Sequence, residues 1–185
     1  MSETNFRTAK EAKGLQVGEK VKNFQATDLH GASFDLSDTL KKGSLVLIFY
    51  RGHWCPICNS HLKELEKNLK KIFDKGAQVV AISPEKSEFL RRTAEKTDVS
   101  FRLLYDENYT ISKLFDVHFK PSTLHKVMYN TMLGAKLKQA HSDDSEQLPI
   151  PATFILDTDG VIVWRHFNPD YKKRSSVADI VANLP

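Results

Sequence analysis

The feature that most constrains the fold is a nearly continuous apolar run, SLVLIFY, at residues 44–50. Its β-branched and aromatic residues show no polar alternation, which is typical of a central strand buried on both faces. A helical pattern follows, with apolar residues at three- and four-residue spacings from Pro56 to about Lys75. A doubly buried strand needs helices on both faces of its sheet, so the sequence predicts an α/β fold.

Strand and helix patterns alternate over most of the chain. An alternating apolar and polar pattern around His30 and Gly31 predicts an N-terminal β-hairpin, and a DTDG turn predicts a second hairpin near the end. From about residue 120 to residue 147 the pattern weakens to one candidate helix and a polar loop. We predict a polar arm over residues 1–13 and a single domain over residues 14–185. Further strands are expected at 77–84 and 101–107, and helices at 85–99, 108–117 and 175–184.

Composition excludes several function classes. The 185 residues carry a formal charge of +4, with 27 basic residues dispersed among 23 acids, which argues against a nucleic-acid partner. The basic run from Lys172 to Arg174 is interpreted as a solvated approach to the last helix. No stretch reaches the length of a membrane span or resembles a signal peptide, so we expect no membrane partner and a cytoplasmic location.

The chain has two cysteines, Cys55 and Cys58, spaced as C-x-x-C where the buried strand gives way to the helix. Unpaired N–H groups at a helix start stabilise a thiolate, so we expect a lowered pKa at Cys55. Pro56 suits the first helical turn because it has no N–H to satisfy. Cys58 lies nearly one turn later and is close enough to form a disulfide. This spacing predicts a dithiol that cycles with a disulfide, with Cys55 attacking and Cys58 resolving.

Two other interpretations of the cysteines remain open. His53, Cys55, Cys58 and His61 have types that bind zinc, although no second cysteine pair accompanies them. A non-catalytic zinc or interaction module is therefore the remote alternative, and two inert buried thiols are the other. Haem attachment is excluded because Asn59 follows Cys58. A redox dithiol requires no cofactor.

A family resemblance runs from about Gly14 to the end of the chain. Four stretches carry it: GEKVKNFQATDLHGASFDLSD, WCPIC, PIPATFILDTDGVI and HFNPDYKKR. With these motifs the chain resembles the thioredoxin-fold superfamily, and within it the peroxiredoxin-like branch of the alkyl hydroperoxide reductase and thiol-specific antioxidant family. The resemblance implies a thioredoxin-like, three-layer α/β/α fold with a central mixed sheet and an insertion before the proline strand. It also implies a cis peptide between Ile150 and Pro151, placed against the cysteines, and a homodimer.

The chain departs from the peroxiredoxin pattern at its chemical centre. Alignment on that pattern puts Cys58 in the peroxide-reducing place and Cys55 in the place of a threonine. Arg51 then takes the place of a proline, and Pro151 the place of an arginine. Because the usual peroxide-binding groups are missing, Arg51 is the candidate for a substitute cation.

We therefore expect a thiol-dependent antioxidant oxidoreductase. Dithiol–disulfide exchange through Cys55 is the main reading, and reduction of hydroperoxides through Cys58 is the alternative. The expected substrate is accordingly a protein disulfide or a hydroperoxide, and a reducing thiol system such as thioredoxin would return the electrons. The residues expected to contact substrate are Trp54, Pro56, Arg51, Ile150 and Pro151.

Overall fold

The computed structural model describes residues 6–185. Eight of the thirteen residues of the predicted polar arm fall within this range, and residues 1–5 lie outside it. The strands are β1 (Gln25–Asp28), β2 (Ser33–Asp35), β3 (Leu45–Phe49), β4 (Gln78–Ser83), β5 (Arg102–Tyr105), β6 (His118–Phe119), β7 (Leu148–Pro149), β8 (Thr153–Leu156) and β9 (Ile162–His166).

The helices lie between these strands and after them. Two 3₁₀ turns cover Ala9–Glu11 and Glu107–Tyr109. The α-helices are α1 (Leu36–Leu40), α2 (Pro56–Lys67), α3 (Leu69–Phe73), α4 (Ser87–Thr97), α5 (Thr110–Leu114), α6 (Thr123–Met132), α7 (Leu137–Ala140) and α8 (Val177–Ala182). The single helix predicted to run to about Lys75 is divided at Asn68, whose backbone leaves the helical region. Among the described helices, none has the length and apolar character needed to cross a bilayer.

Within residues 6–185 the main sheet has the strand order β2-β1-β5-β4-β3-β8-β9. Strands β3, β4 and β5 run parallel, as expected for strands joined through helices, whereas β8 pairs antiparallel with β3. The N-terminal β1–β2 pair and the late β8–β9 pair are the two predicted hairpins. The sheet is therefore mixed, as predicted.

The apolar run that predicted a central strand is buried on both faces. Val46 and Ile48 pack with side chains of α2, α4 and α8, and Leu45, Leu47 and Phe49 pack on the opposite face with those of α1 and α5. All five residues of β3 are at most 1% exposed. The predicted α/β/α layering is confirmed, and β3 lies at its centre.

The segment before β8 contains structure that the sequence did not predict. Strands β6 and β7 form a short antiparallel ladder of their own. The end of the polar arm packs beside it, because Arg7 Nε donates a hydrogen bond to the carbonyl oxygen of His118 at 2.6 Å. The insertion thus lies between the arm and the entrance to β8.

The predicted cis peptide before Pro151 is wrong: the peptide bonds of the described residues are all trans. Ile150 N–H donates to Val117 O at 2.7 Å, and Phe49 N–H donates to Ala152 O at 2.9 Å. The chain passes from one ladder into the next without reversing. No turn is required there, and the trans isomer of an X–Pro bond is favoured by about 0.5–1 kcal/mol.

Candidate active site

Cys55 lies at the junction between strand and helix, as predicted. It is the N-cap residue of α2, and Pro56 occupies the exposed first turn. The Cys55 sulfur accepts a hydrogen bond from the backbone N–H of Cys58 at 3.3 Å. The helix start therefore directs one of its unpaired donors at a sulfur atom, which satisfies that donor.

The loop from β3 to α2 depends on Gly52. Its φ of +156° is unusual for a residue with a side chain, and an added Cβ would collide with Glu85 Oε1 and Trp54 Nε1. Glycine is therefore required here for a close approach. The buried Glu85 carboxylate then reaches the loop, accepting from His53 N–H at 2.9 Å and contacting His53 Nδ1 at 2.7 Å.

Arg51 is buried next to the cysteines. Its Nη2 donates to the Cys55 sulfur at 3.3 Å, and its Nη1 donates to the Tyr129 hydroxyl at 3.0 Å. Its guanidinium lies 4.0 Å from the centre of the Tyr171 ring and 4.9 Å from that of Trp54. Aromatic faces hold this cation in place through cation–π contacts.

A second arginine, Arg174, reaches the other sulfur, and the sequence did not predict it. Its Nη2 lies 3.1 Å from the Cys58 sulfur and 4.0 Å from the Cys55 sulfur. The interpretation of this basic run as a solvated approach is therefore wrong for Arg174. The only signal in the sequence was the family-like stretch HFNPDYKKR, of which Arg174 is the last residue.

Residues 169–176, called the C-terminal strap from here on, carry Arg174 to the site. Arg174 Nε donates to Tyr171 O at 2.6 Å, which fixes the guanidinium within the strap. His61 Nε2 lies 3.0 Å from Ser175 O, and the Ser175 hydroxyl lies 2.8 Å from that of Thr153. Because His61 follows Cys58 by three residues on α2, the helix face that carries the sulfur also anchors the strap.

The two thiols differ in the direction of their pKa shifts. Burial acts to raise both pKa values. At Cys58 it is outweighed by a hydrogen bond from Cys55 and by the charges of Arg174 and Arg51, which bring the pKa well below the usual range. At Cys55, burial, the hydrogen bond to Cys58 and the charge of Cys58 raise the pKa. The lowered pKa expected at Cys55 is therefore wrong, because the pair shares one proton and Cys58 has the stronger cationic contact.

The histidines of the zinc alternative have partners other than the sulfurs. His53 contacts Glu85, and His61 contacts Ser175. Among residues 6–185, no group of three or more histidine, cysteine or acidic side chains is arranged to hold a metal ion.

A pocket of about 510 Å³ opens above the cysteines. Arg51, Ile150, Pro151 and Tyr171 line it together with Tyr129, whereas Trp54 and Pro56 do not. Both sulfurs are fully buried, and Arg51 touches both the pocket and the Cys55 sulfur. Arg51 thus separates the pocket from the dithiol.

A family model described as the AhpC/TSA family matches residues 17–165, which include the cysteines, β8 and most of β9. The chain belongs to the AhpC/TSA family. This match confirms the family resemblance inferred from the sequence.

Curated relatives of this AhpC/TSA protein carry two kinds of name. Thiol-disulfide oxidoreductase ResA of Bacillus thuringiensis is 23% identical over 150 residues, covering 80% of this chain and 68% of ResA. Peroxiredoxin Bcp of Escherichia coli is 29% identical over 170 residues, covering 91% of this chain and 94% of Bcp.

Solved structures give the same fold. Peroxidoxin BcpB of Mycobacterium tuberculosis superposes with a TM-score of 0.70 at 22% identity, covering 92% of this chain and 96% of BcpB. The thioredoxin-like, peroxiredoxin-like fold is therefore confirmed. As a member of this family the protein is a thiol-dependent oxidoreductase, and its relatives are named for both of the reactions considered above.

Proposed function

We propose that this protein reduces hydroperoxides, with Cys58 as the attacking thiolate and Cys55 as the resolving thiol. The observation that carries the proposal is the contact between Arg174 Nη2 and the Cys58 sulfur at 3.1 Å. It supplies the guanidinium that is absent from the usual peroxiredoxin position. A cation in direct contact keeps a buried thiol ionised and donates hydrogen bonds to an oxygen bound beside it.

The reaction balances with the groups at the site. The Cys58 thiolate attacks one peroxide oxygen, so that an S–O bond forms and the O–O bond breaks. The other oxygen leaves as an alcohol, or as water when hydrogen peroxide is the substrate, after taking a proton. Cys55 then attacks the Cys58 sulfenic acid and releases water, which leaves a Cys55–Cys58 disulfide. An external dithiol restores both thiols by two successive exchanges.

Burial of the sulfurs supports a small oxidant. Cys55 and Cys58 are 0% exposed, and the C-terminal strap and Arg51 cover them. A peroxide group can approach through a small displacement of these side chains. A protein disulfide would need a larger opening of the strap, and a protein dithiol that reduces the Cys55–Cys58 disulfide needs that same opening in the recycling step.

Disulfide exchange through Cys55 is the second candidate, and one observation favours it. The Cys55 sulfur receives both the Cys58 N–H at 3.3 Å and an Arg51 N–H at 3.3 Å, which are suitable contacts for a thiolate at a helix start. The relative named as a thiol-disulfide oxidoreductase supports the same reading. Here Cys55 attacks a substrate disulfide and Cys58 resolves the mixed disulfide.

The substrate contacts, the electron donor and the compartment are proposed from the same thiol chemistry. Ile150 and Pro151 form the wall of the pocket that an incoming substrate would meet, with Arg51 at its floor. The proposed electron donor is a dithiol protein such as thioredoxin, and the proposed compartment is the reducing cytoplasm, where an antioxidant dithiol can be regenerated. A homodimer stays a prediction, which sedimentation of the reduced protein would test.

The test compares two serine variants with two oxidants. With hydrogen peroxide, we expect Cys55→Ser to accumulate a sulfenic acid on Cys58, detected by mass, and Cys58→Ser to react no faster than free cysteine. With a model disulfide, both variants should react slowly. If Cys58→Ser instead forms a rapid mixed disulfide through Cys55 while Cys55→Ser is inert to peroxide, disulfide exchange is the function.

A further inference from the structure

We infer that the pocket above Arg51 is a binding site for an organic monoanion with an apolar body, such as an aliphatic monocarboxylate. This inference concerns binding and does not depend on which sulfur attacks. It is carried by the shape and lining of the pocket, and by an excess of positive charge at its floor.

The walls of the pocket suit an apolar body. Phe119, Pro121, Ile150 and Pro151 line one part of it, and the rings of Tyr129 and Tyr171 line another. At about 510 Å³ its volume is in the range typical of small-molecule sites. Binding of an apolar ligand to these walls is favourable because it removes apolar surface of both from water.

The floor carries positive charge that the described residues do not neutralise. Arg51 and Arg174 both contact the cysteine pair, and neither forms an ion pair with a carboxylate of residues 6–185. A dithiol that keeps one proton supplies a single negative charge to two guanidiniums. One positive charge is left over beside the pocket, and buried charges are ordinarily paired.

Arg51 also has an unused hydrogen-bond donor. Its side chain is 3% exposed, and its Nε finds no acceptor among the described residues. The Nη atoms are bonded to uncharged or sulfur acceptors, Tyr129 Oη and Cys55 Sγ. A carboxylate at the pocket floor would pair with this guanidinium after a small rotation of the side chain.

The rim has the same sign of charge. Lys10 and Lys120 line the pocket, His125 lies beside them, and no acidic residue is among the described residues of the lining. Cations at the mouth and at the floor, joined by apolar walls, favour an anion over a neutral molecule of the same size.

A ligand bound in this way would affect the chemistry of the site. Its carboxylate would compete with the Cys55 sulfur for Arg51, and its body would fill the path to the dithiol. The inference therefore predicts a competitive inhibitor of the oxidant, whether that oxidant is a peroxide or a disulfide.

The test measures binding to the reduced full-length protein by calorimetry, with no oxidant present. The probes are octanoate and octanol below their micellar or solubility limits, because they share a body and differ in charge. Octanoate should bind about tenfold more tightly than octanol, as expected for a charge-assisted contact. Equal affinity of the two probes, or no binding of octanoate, would overturn the inference.

Variants locate the site. Ala9→Phe, which places a ring in the lining, should abolish octanoate binding, and Lys10→Ala with Lys120→Ala should weaken it about threefold or more. Lys63→Ala, on the exposed side of α2, is the matched control and should bind as the parent does. Octanoate binding that survives Ala9→Phe also refutes the site. Octanoate binding is measured without oxidant, so its outcome is independent of the peroxide rates of Cys55→Ser and Cys58→Ser that test the proposed function.

Discussion

Arg174 gives Cys58 what no residue close to it in the chain provides, a guanidinium in contact with the sulfur. The contact spans 116 positions of sequence, and it sets the two thiols apart although both are equally buried. The two sulfurs thus differ in which guanidinium each one contacts. Arg51 serves Cys55 and Arg174 serves Cys58.

Removing this guanidinium should raise the pKa of the Cys58 thiol. In Arg174→Gln the side chain keeps a donor but loses the charge, so the thiolate loses the cation that contacts it directly. We expect the thiolate absorbance to titrate at higher pH and the peroxide rate to fall about tenfold to a hundredfold. Lys173→Gln, one residue away and exposed, is the control. An unchanged thiolate titration in Arg174→Gln would contradict this assignment.

Helix α2 and the C-terminal strap form one unit around the sulfurs. The helix provides Cys58 and His61, and the strap provides Arg174 and Ser175. The hydrogen bond between His61 and Ser175 O is buried, so its loss should loosen the strap locally by about 1–3 kcal/mol. The geometry of the guanidinium depends on that anchor.

Limited proteolysis tests this anchor, because the strap itself contains the trypsin sites Lys172, Lys173 and Arg174. His61→Leu removes the donor, and we expect trypsin to cleave the strap about tenfold faster than in the parent. The leucine variant should also reduce peroxide more slowly, because the strap positions Arg174. His61→Gln retains an amide N–H of similar reach and should keep both the protection and the peroxide rate of the parent. Equal protection in the leucine variant would mean that other contacts hold the strap.

Much of the element structure was predictable, since it depends on local patterns. The apolar run of β3, the period of α2 and the two hairpin turns each specify themselves within a few residues. The arrangement of the side chains at the site was harder to predict from the sequence. A basic residue near a helix start is usually solvated, so nothing in Lys172–Arg174 separated Arg174 from its neighbours except family likeness.

The isomer of the peptide bond before Pro151 also could not be predicted from local sequence. The family resemblance implied a cis bond, but the trans bond follows from the way the chain passes from β7 into β8. Contacts between distant segments override local propensity at such points.

For the whole molecule, buried neutral histidines couple folding to pH. Burial lowers the pKa of His61 to about 4 and that of His141 to about 3. In the unfolded chain both titrate near the ordinary value, so the unfolded state binds more protons in between. Their contribution to stability is therefore complete above about pH 6.5 and decreases as the pH falls toward 4.

Chemical denaturation at several pH values measures this coupling. Between pH 6.5 and 4 the parent should lose a few kcal/mol more of its unfolding free energy than the variant carrying His61→Gln and His141→Gln, at about 1.4 kcal/mol for each unit of pKa shift. Comparison at matched pH cancels the contribution of buried carboxyls such as Glu85. Parallel pH curves for the two proteins would show that these histidines do not set the acid stability.

The shared proton of the dithiol has a consequence for how the two redox forms can be told apart. A reduced pair with one thiolate carries a negative charge that the disulfide lacks. Oxidation therefore makes the net charge of the protein more positive by one unit. Arg51 and Arg174 then face a neutral bridge. The oxidised form should migrate faster toward the cathode and elute later from a cation exchanger, which gives a direct readout of the redox state of a mixed population.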